Sequence, residues 1–180
     1  MLASLHSKNG GGSVTTLLAD MASFHLGTQY DLVYCVNSTF SLMVTVEQQI
    51  GCLESIVKAL LPNGRLVLDL YYPYTADFSD AGVYGDQRTT VVHIDDRRAM
   101  VRFARHDRNQ QLFVSQDLYL TPAGSRAIPL KMRYVYPTEL DLLAKISGLE
   151  LTERYGDWQR RPFENVSRQY MSVFRKSHES

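Results

Sequence analysis

The chain is expected to be an α/β domain built on a parallel sheet, with an antiparallel β segment inserted into it, on three observations. Tyr30-Asp31-Leu32-Val33-Tyr34-Cys35-Val36 is a nearly continuous apolar run, which suits a strand covered on both faces. A helical apolar stripe over 46–61 follows, stopped by Pro62-Asn63-Gly64, and then a second apolar run, Leu66-Val67-Leu68-Asp69-Leu70. Strand, helix, strand is a βαβ unit, whose crossover is right-handed and whose strands are parallel. Beyond Tyr71-Tyr72-Pro73 the pattern changes to short runs joined by polar turns, the mark of an antiparallel meander.

In chain order, Met1 to Lys8 reads as a short helix with Met1, Leu2 and Leu5 on one side, broken by Asn9-Gly10-Gly11-Gly12-Ser13. These glycines follow no strand and precede no Gly-Lys-Ser/Thr, so they read as a connection and not a phosphate loop. Val14 to Ala19 is a short β-branched run that ends at Asp20. The helix over Val46 to Leu61 draws its stripe from Ile50, Leu53, Ile56, Val57, Leu60 and Leu61. The meander strands are Thr89–Ile94, Ala99–His106, Leu112–Leu120 and Ile128–Tyr136, and their charged residues imply one wet face. A further helix has Thr138 as N-cap, Asp141 toward its positive end and Gly148 as its stop. Leu149–Tyr155 and Tyr170–Phe174 are the last strands, separated by a polar loop that holds Trp158. No repeat or interdomain linker is apparent. The whole of 1–180 reads as one domain, with 85–136 as an insertion that covers an acceptor or forms a dimer surface.

Composition narrows the function classes. A hydrophobic fraction of 44% over 180 residues suits a folded core and excludes a disordered chain. Lys plus Arg and Asp plus Glu both total 19, so no overall charge draws the chain to nucleic acid or an anionic membrane. No apolar run approaches the ~20 residues of a membrane span. Met1 to Gly12 lacks the apolar core of a signal peptide, so a cytoplasmic protein is expected. Cys35 and Cys52 make neither a disulfide framework nor a metal spacing and read as small buried thiols. No nucleophile elbow, zinc spacing or paired-carboxylate motif is apparent, and no metal is expected.

Together these residues carry a family likeness. Leu18-Ala19-Asp20-Met21, the run from Tyr30 to Ser38, and Leu60-Leu61-Pro62-Asn63-Gly64-Arg65-Leu66-Val67-Leu68-Asp69 resemble the middle of a class I S-adenosylmethionine-dependent methyltransferase. In that family a third strand ends in an acidic and a hydrophobic residue, and a fourth ends at the cofactor. A helix, a Pro-x-Gly turn and a fifth strand follow. The likeness runs from about Leu2 to Leu70 and resumes from Pro137 to Phe174. A Gly-rich loop for the cofactor's methionine end, and an acid for its ribose, would precede Leu2. The implied fold is a Rossmann-like methyltransferase sheet, truncated at its amino terminus, with an inserted antiparallel β-meander.

The resemblance implies S-adenosyl-L-methionine as cofactor and roles for matching positions. Asp20 would accept a hydrogen bond from the adenine amino group, and Met21 would pack on the adenine face. Cys35, Val36 and Asn37 would lie beside the cofactor at the carboxyl end of their strand. Each has an alternative: Asp20 as an Asx turn, and Asn37-Ser38-Thr39 as an N-cap cluster. Tyr71, Tyr72 and Trp158 read as acceptor-pocket aromatics or as packing residues. His106 and His93 lie in the meander where a base toward a hydroxyl or amine could stand, although His93 reads better as structural. His25 has no evident partner. No catalytic residue is identified.

The meander resembles the acceptor cover of small-molecule members. The expected partner is therefore a small-molecule methyl acceptor, and neither nucleic acid nor membrane. Two function classes stay open: methyl transfer to nitrogen or oxygen, and a degenerate homologue that binds or dimerises without catalysis. The strand over 31–36 should carry an open edge. Three outcomes follow: Val14–Ala19 slides beside it, a homodimer or completing partner chain covers it, or the chain is a fragment.

Overall fold

The computed structural model describes residues 14–72 and 87–177. The expected helix over Met1–Lys8, the glycine run and the start of the insertion lie outside them. The described chain forms two four-stranded sheets.

The first sheet carries the βαβ unit. Strand β1 (Tyr30–Cys35) lies parallel to β2 (Leu60–Tyr71), with Val33 opposite Leu66 and Cys35 opposite Leu68. Helix α1 (Val46–Ala59) makes the crossover. Its start is set by Thr45, whose Oγ1 accepts the Gln48 N–H at 3.2 Å, while Gln48 Oε1 accepts the Val44 N–H at 2.9 Å. This is a reciprocal cap of the Thr-x-x-Gln kind. The helix stops at Ala59, two residues before the expected end. Leu60 is already extended and pairs with Tyr30, so Pro62-Asn63-Gly64 falls in an irregular stretch of β2.

Helix α2 (Pro137–Ile146) begins two residues earlier than expected, with Tyr136 as N-cap and Pro137 in the first turn. A proline fits there because its missing N–H would be unsatisfied anyway. Thr138 is therefore inside the helix, Glu139 is the first-turn acid, and Asp141 pairs with Arg154 instead of serving the helix end. Gly148 follows the C-cap at φ +86°, a left-handed position that closes the helix as anticipated. Strands β7 (Leu149–Tyr155) and β8 (Gln169–Lys176) run antiparallel to each other, and β8 antiparallel to β2, giving the order β1-β2-β8-β7. Leu53 and Ile56 of α1, Leu66 and Leu68 of β2, Leu140 of α2 and Phe174 of β8 form the dry core.

The second sheet is the meander: β3 (Gln87–Ile94), β4 (Ala99–Asp107), β5 (Leu112–Thr121) and β6 (Gly124–Arg133), all antiparallel. The last strand starts earlier and ends earlier than the expected Ile128–Tyr136. Thr121 pairs with Gly124 to close the hairpin, and the chain leaves the sheet after Arg133. Arg133 is buried and ties the sheets together. It donates to Gln49 Oε1 of α1 at 2.7 Å, Gln111 Oε1 at 3.1 Å and Glu139 Oε1 of α2 at 2.6 Å.

Val14 to Ala19 is not a strand. It does not slide beside β1, and Leu17 and Leu18 are exposed. A parallel strand needs a paired neighbour to satisfy its backbone, and none stands beside it among the described residues. β1 is accordingly an edge strand with Leu32 and Tyr34 exposed at 53% and 67%, as the sequence leads one to expect of an open edge.

Candidate active site

The exit of β1 is strained and deliberately held. Asn37 and Ser38 follow one another at φ 57° and 54°, a left-handed conformation that costs non-glycine residues roughly 1–3 kcal/mol each. Asp69, buried at the far end of β2, fixes both. Its Oδ2 accepts the Asn37 N–H at 3.2 Å, and its carbonyl accepts the Ser38 N–H at 3.0 Å. Ser38 stands at the N-cap position of a 3-10 turn over Thr39–Leu42, yet its hydroxyl does not cap it. Instead Ser38 Oγ accepts the Tyr71 N–H at 2.8 Å, joining the two strand exits. Thr39 Oγ1 donates to Val36 O at 2.7 Å.

The Asp20–Phe24 segment is seated on α1. A Cβ at Gly51 would lie 2.5 Å from the Ala22 carbonyl oxygen, so only glycine lets that backbone approach the helix. Beside it, Ser55 Oγ accepts the Phe24 N–H at 3.2 Å and donates to Gly51 O at 2.8 Å. Met21, Ala22 and Phe24 pack against the core together with Cys35. Asp20 Oδ1 accepts the Ala22 N–H at 2.9 Å, so the Asx-turn reading is real. The carboxylate is exposed and keeps lone pairs for another donor.

Both cysteine thiols are held protonated by their surroundings. Burial, reinforced by the charges of Cys35 and Asp20, pushes the Cys52 thiol up to about 12. Cys35 is also raised, chiefly by burial and further by Asp69, against a lowering hydrogen bond from the Phe40 backbone.

In front of that exit lies a cleft of about 880 Å³ between the two sheets. Asn37, Ser38 and Tyr71 form one wall, and His106, Phe113 and Tyr134 of the meander face them. His106 packs edge-on to Phe113, with ring centroids 5.0 Å apart. Tyr72 is a packing residue, edge-on to Tyr136, Phe163 and Tyr170 at 5.2–6.2 Å. Trp158 is 55% exposed and is not among the residues lining the cleft. His93 binds Asp95 at 2.9 Å in the β3–β4 turn, and this contact with Arg97 and Arg98 holds the Asp95 carboxyl well below its usual range. His25 is exposed. Among the described residues no cluster could hold a metal ion.

Asp69, Gly51 and Ser55 escape a reading of the sequence alone. The usable signal for Asp69 was a carboxylate inside an apolar strand run. For Gly51 it was a glycine midway through a helix, where it otherwise weakens the helix.

Known proteins share both the sequence pattern and the fold. No family profile matches the chain. Its sequence is 27% identical over 172 residues to the cypemycin N-terminal methyltransferase of a Streptomyces species, covering 96% of this chain and 69% of that protein. Its structure superposes on the CcbJ methyltransferase of Streptomyces caelestis with a TM-score of 0.87 and 29% identity, covering 98% of this chain and 69% of that one. In sequence and in fold the chain is similar to S-adenosylmethionine-dependent methyltransferases. CalS10, an amino pentose methyltransferase of Micromonospora echinaspora, shares the methyltransferase fold at a TM-score of 0.60 and 21% identity, over 88% of this chain and 63% of its own. The order β1-β2-β8-β7, with β8 reversed, is therefore part of a Rossmann-like methyltransferase sheet. No helix among the described residues is long and apolar enough to cross a membrane.

The residues fit the nucleoside end of the family's cofactor. An exposed carboxylate with lone pairs to spare, a thioether beside it and a rigid backbone turn at a strand's carboxyl end are the groups an adenosine needs.

Proposed function

We propose that this chain supplies the adenosine-binding wall and the acceptor cleft of an enzyme that methylates a nitrogen or oxygen of a small molecule. The observation that carries this reading is the double duty of Asn37 and Ser38. They are locked at the β1 exit by Asp69, and they also line the cleft beneath the meander. A cofactor beside β1 and an acceptor in the cleft would meet there.

When bound, S-adenosylmethionine supplies a methyl group already activated on a positively charged sulfur. The chain then has to align the acceptor and exclude water. Asp20 would accept the adenine amino hydrogen, and Met21 would pack on the ring face. Cys35, Val36 and Asn37 would border the nucleoside. Tyr71 flanks the acceptor, and His106 on the opposite wall takes the proton an acceptor N–H or O–H gives up. The cypemycin relative is named for methyl transfer to an amino terminus, which favours nitrogen as the acceptor atom.

Calorimetric titration with S-adenosylhomocysteine tests the reading. Binding in the micromolar range, about 8 kcal/mol, is expected. No detectable heat would leave a methyltransferase fold that works by binding or dimerising, and would remove the catalytic proposal.

A further inference from the structure

Gln49 stands where the apolar stripe of α1 calls for a hydrophobic side chain. Cys52, Leu53 and Ile56 continue the same face, and all four are buried. An amide taken out of water there costs stability unless its polar atoms are satisfied. Gln49 satisfies them on two different parts of the fold. Its Nε2 donates to the Met43 carbonyl at 3.2 Å and to the Arg133 carbonyl at 3.4 Å, and its Oε1 accepts from Arg133 Nη1 at 2.7 Å. The amide can lie only this way round, because a carbonyl offers no hydrogen and a guanidinium no lone pair. Those two parts are the two walls of the cleft. Met43 closes the 3-10 turn that starts from Ser38, and Ser41 within that turn lines the cleft beside Asn37 and Ser38. Arg133 ends β6, whose Leu130 and Met132 line the opposite wall. The turn over Thr39–Leu42 packs on β6 as well as on β2, so the walls meet at this point.

We infer that Gln49 is a positioning residue: its buried amide fixes the meander wall against the turn at the β1 exit, and so sets the separation of acceptor and methyl group. The meaning of the two walls rests on the proposed function. Group transfer is sensitive to such a separation, since misplacing a reacting atom by about 1 Å can cost about 100-fold in rate. Leucine would fill the volume of Gln49 and bond neither wall. Glutamate would keep an oxygen for Arg133 and lose the N–H that serves both carbonyls. Only an amide of this length offers donor and acceptor on one rigid plane to both walls at once.

The methionines report on both walls. Carbon-13 methyl relaxation dispersion of the whole chain, which reads microsecond-to-millisecond exchange, follows Met43 at the turn and Met132 on the meander, with Met171 of β8 as the internal control. Without ligand, all three should be sharp in the native protein. Gln49→Leu should broaden Met43 and Met132 with one common exchange rate and leave Met171 sharp. Ile56→Val, a core change on the same helix, should lower the melting temperature and leave Met43 and Met132 sharp, a contrast that a role in stability alone does not produce. Gln49→Glu is the milder change and decides the matter alone if the leucine variant does not fold. It should broaden Met43, while Met132, still gripped through the guanidinium, stays sharp. A sharp Met132 in Gln49→Leu, unequal rates at the two methyls, equal broadening in Ile56→Val, or a sharp Met43 in Gln49→Glu would overturn the inference. S-adenosylhomocysteine is then added. In the native protein it should shift Met21 and Met132 saturably, and in Gln49→Leu the Met21 shift should persist while the Met132 shift is lost. If that ligand does not bind the native protein, the proposed function falls and the ligand-free spectra still judge the inference. If it binds and the variants leave Met43 and Met132 sharp, the inference falls and the proposed function stands.

Discussion

Asp69 holds Asn37 through a side-chain oxygen 3.2 Å from its N–H and holds Ser38 through its own carbonyl at 3.0 Å. One buried residue of β2 thus sets two consecutive left-handed residues at the end of β1. Replacing Asp69 with Ala removes the acceptor for a partly buried N–H, at a cost of about 1–3 kcal/mol. The turn should relax, and S-adenosylhomocysteine affinity should fall about tenfold. Asp69→Asn retains an acceptor oxygen and should lose less of both. Thermal melts and calorimetry on the two variants check the ranking.

Gly51 decides how close the Asp20 turn sits to α1. Alanine is the better helix former by about 1 kcal/mol, so propensity alone predicts a gain. The 2.5 Å approach of a backbone oxygen outweighs it, since that oxygen can only move by displacing the turn. Gly51→Ala should therefore lower the melting temperature and weaken the cofactor analogue together. A stabilised variant with unchanged affinity would show that the turn does not depend on this contact.

Arg133 is nearly buried and bridges α1, the meander and α2 through Gln49, Gln111 and Glu139. Removing it leaves partly buried acceptors without their cation. Arg133→Met should destabilise the fold by about 2–4 kcal/mol, the lower part reflecting the access Glu139 keeps to water. Denaturant unfolding measures it, and a loss under 1 kcal/mol would make the bridge incidental.

The Cys52 thiol carries a pH signature. Its folded value of about 12 lies above the ordinary 9.0, so the folded state holds the proton more tightly than the unfolded one. The stability tied to that proton is complete below about pH 9 and is lost as pH rises toward 12. Cys52→Ala should flatten the alkaline arm of the stability curve at some cost in packing. Native Cys52 should also react with iodoacetamide far more slowly at pH 8 than in denaturant, because the thiolate is the nucleophile.

Much of this fold is legible in the sequence because it is periodic. Apolar runs at Tyr30–Val36 and Leu66–Leu70 with a striped helix between them admit little besides a parallel βαβ unit, and the structure has it. The meander shows through its polar turns. Val14–Ala19 misleads because β-branched residues express a preference that only a neighbouring strand can realise. Thr138 loses the capping position to the Tyr136-Pro137 step, whose fixed φ starts the helix sooner. At the candidate site, Asp20, Met21 and Asn37 are singled out by the family resemblance, and not by any pattern of their own. Asp69 and Gly51 could not. Their meaning lies in partners distant along the chain, Asn37 for Asp69 and Ala22 for Gly51, a relation that spacing does not reveal.

The central claim is that the Asp20–Met21 turn and the β1 exit together clasp an adenosine. Label the methionine methyls with carbon-13, add S-adenosylhomocysteine, and look for transferred magnetisation between the adenine ring protons and Met21. Cross-peaks to the Met21 methyl, lost in Gly51→Ala, are predicted. Bound ligand whose adenine protons contact other methionines and leave Met21 unshifted would contradict the account.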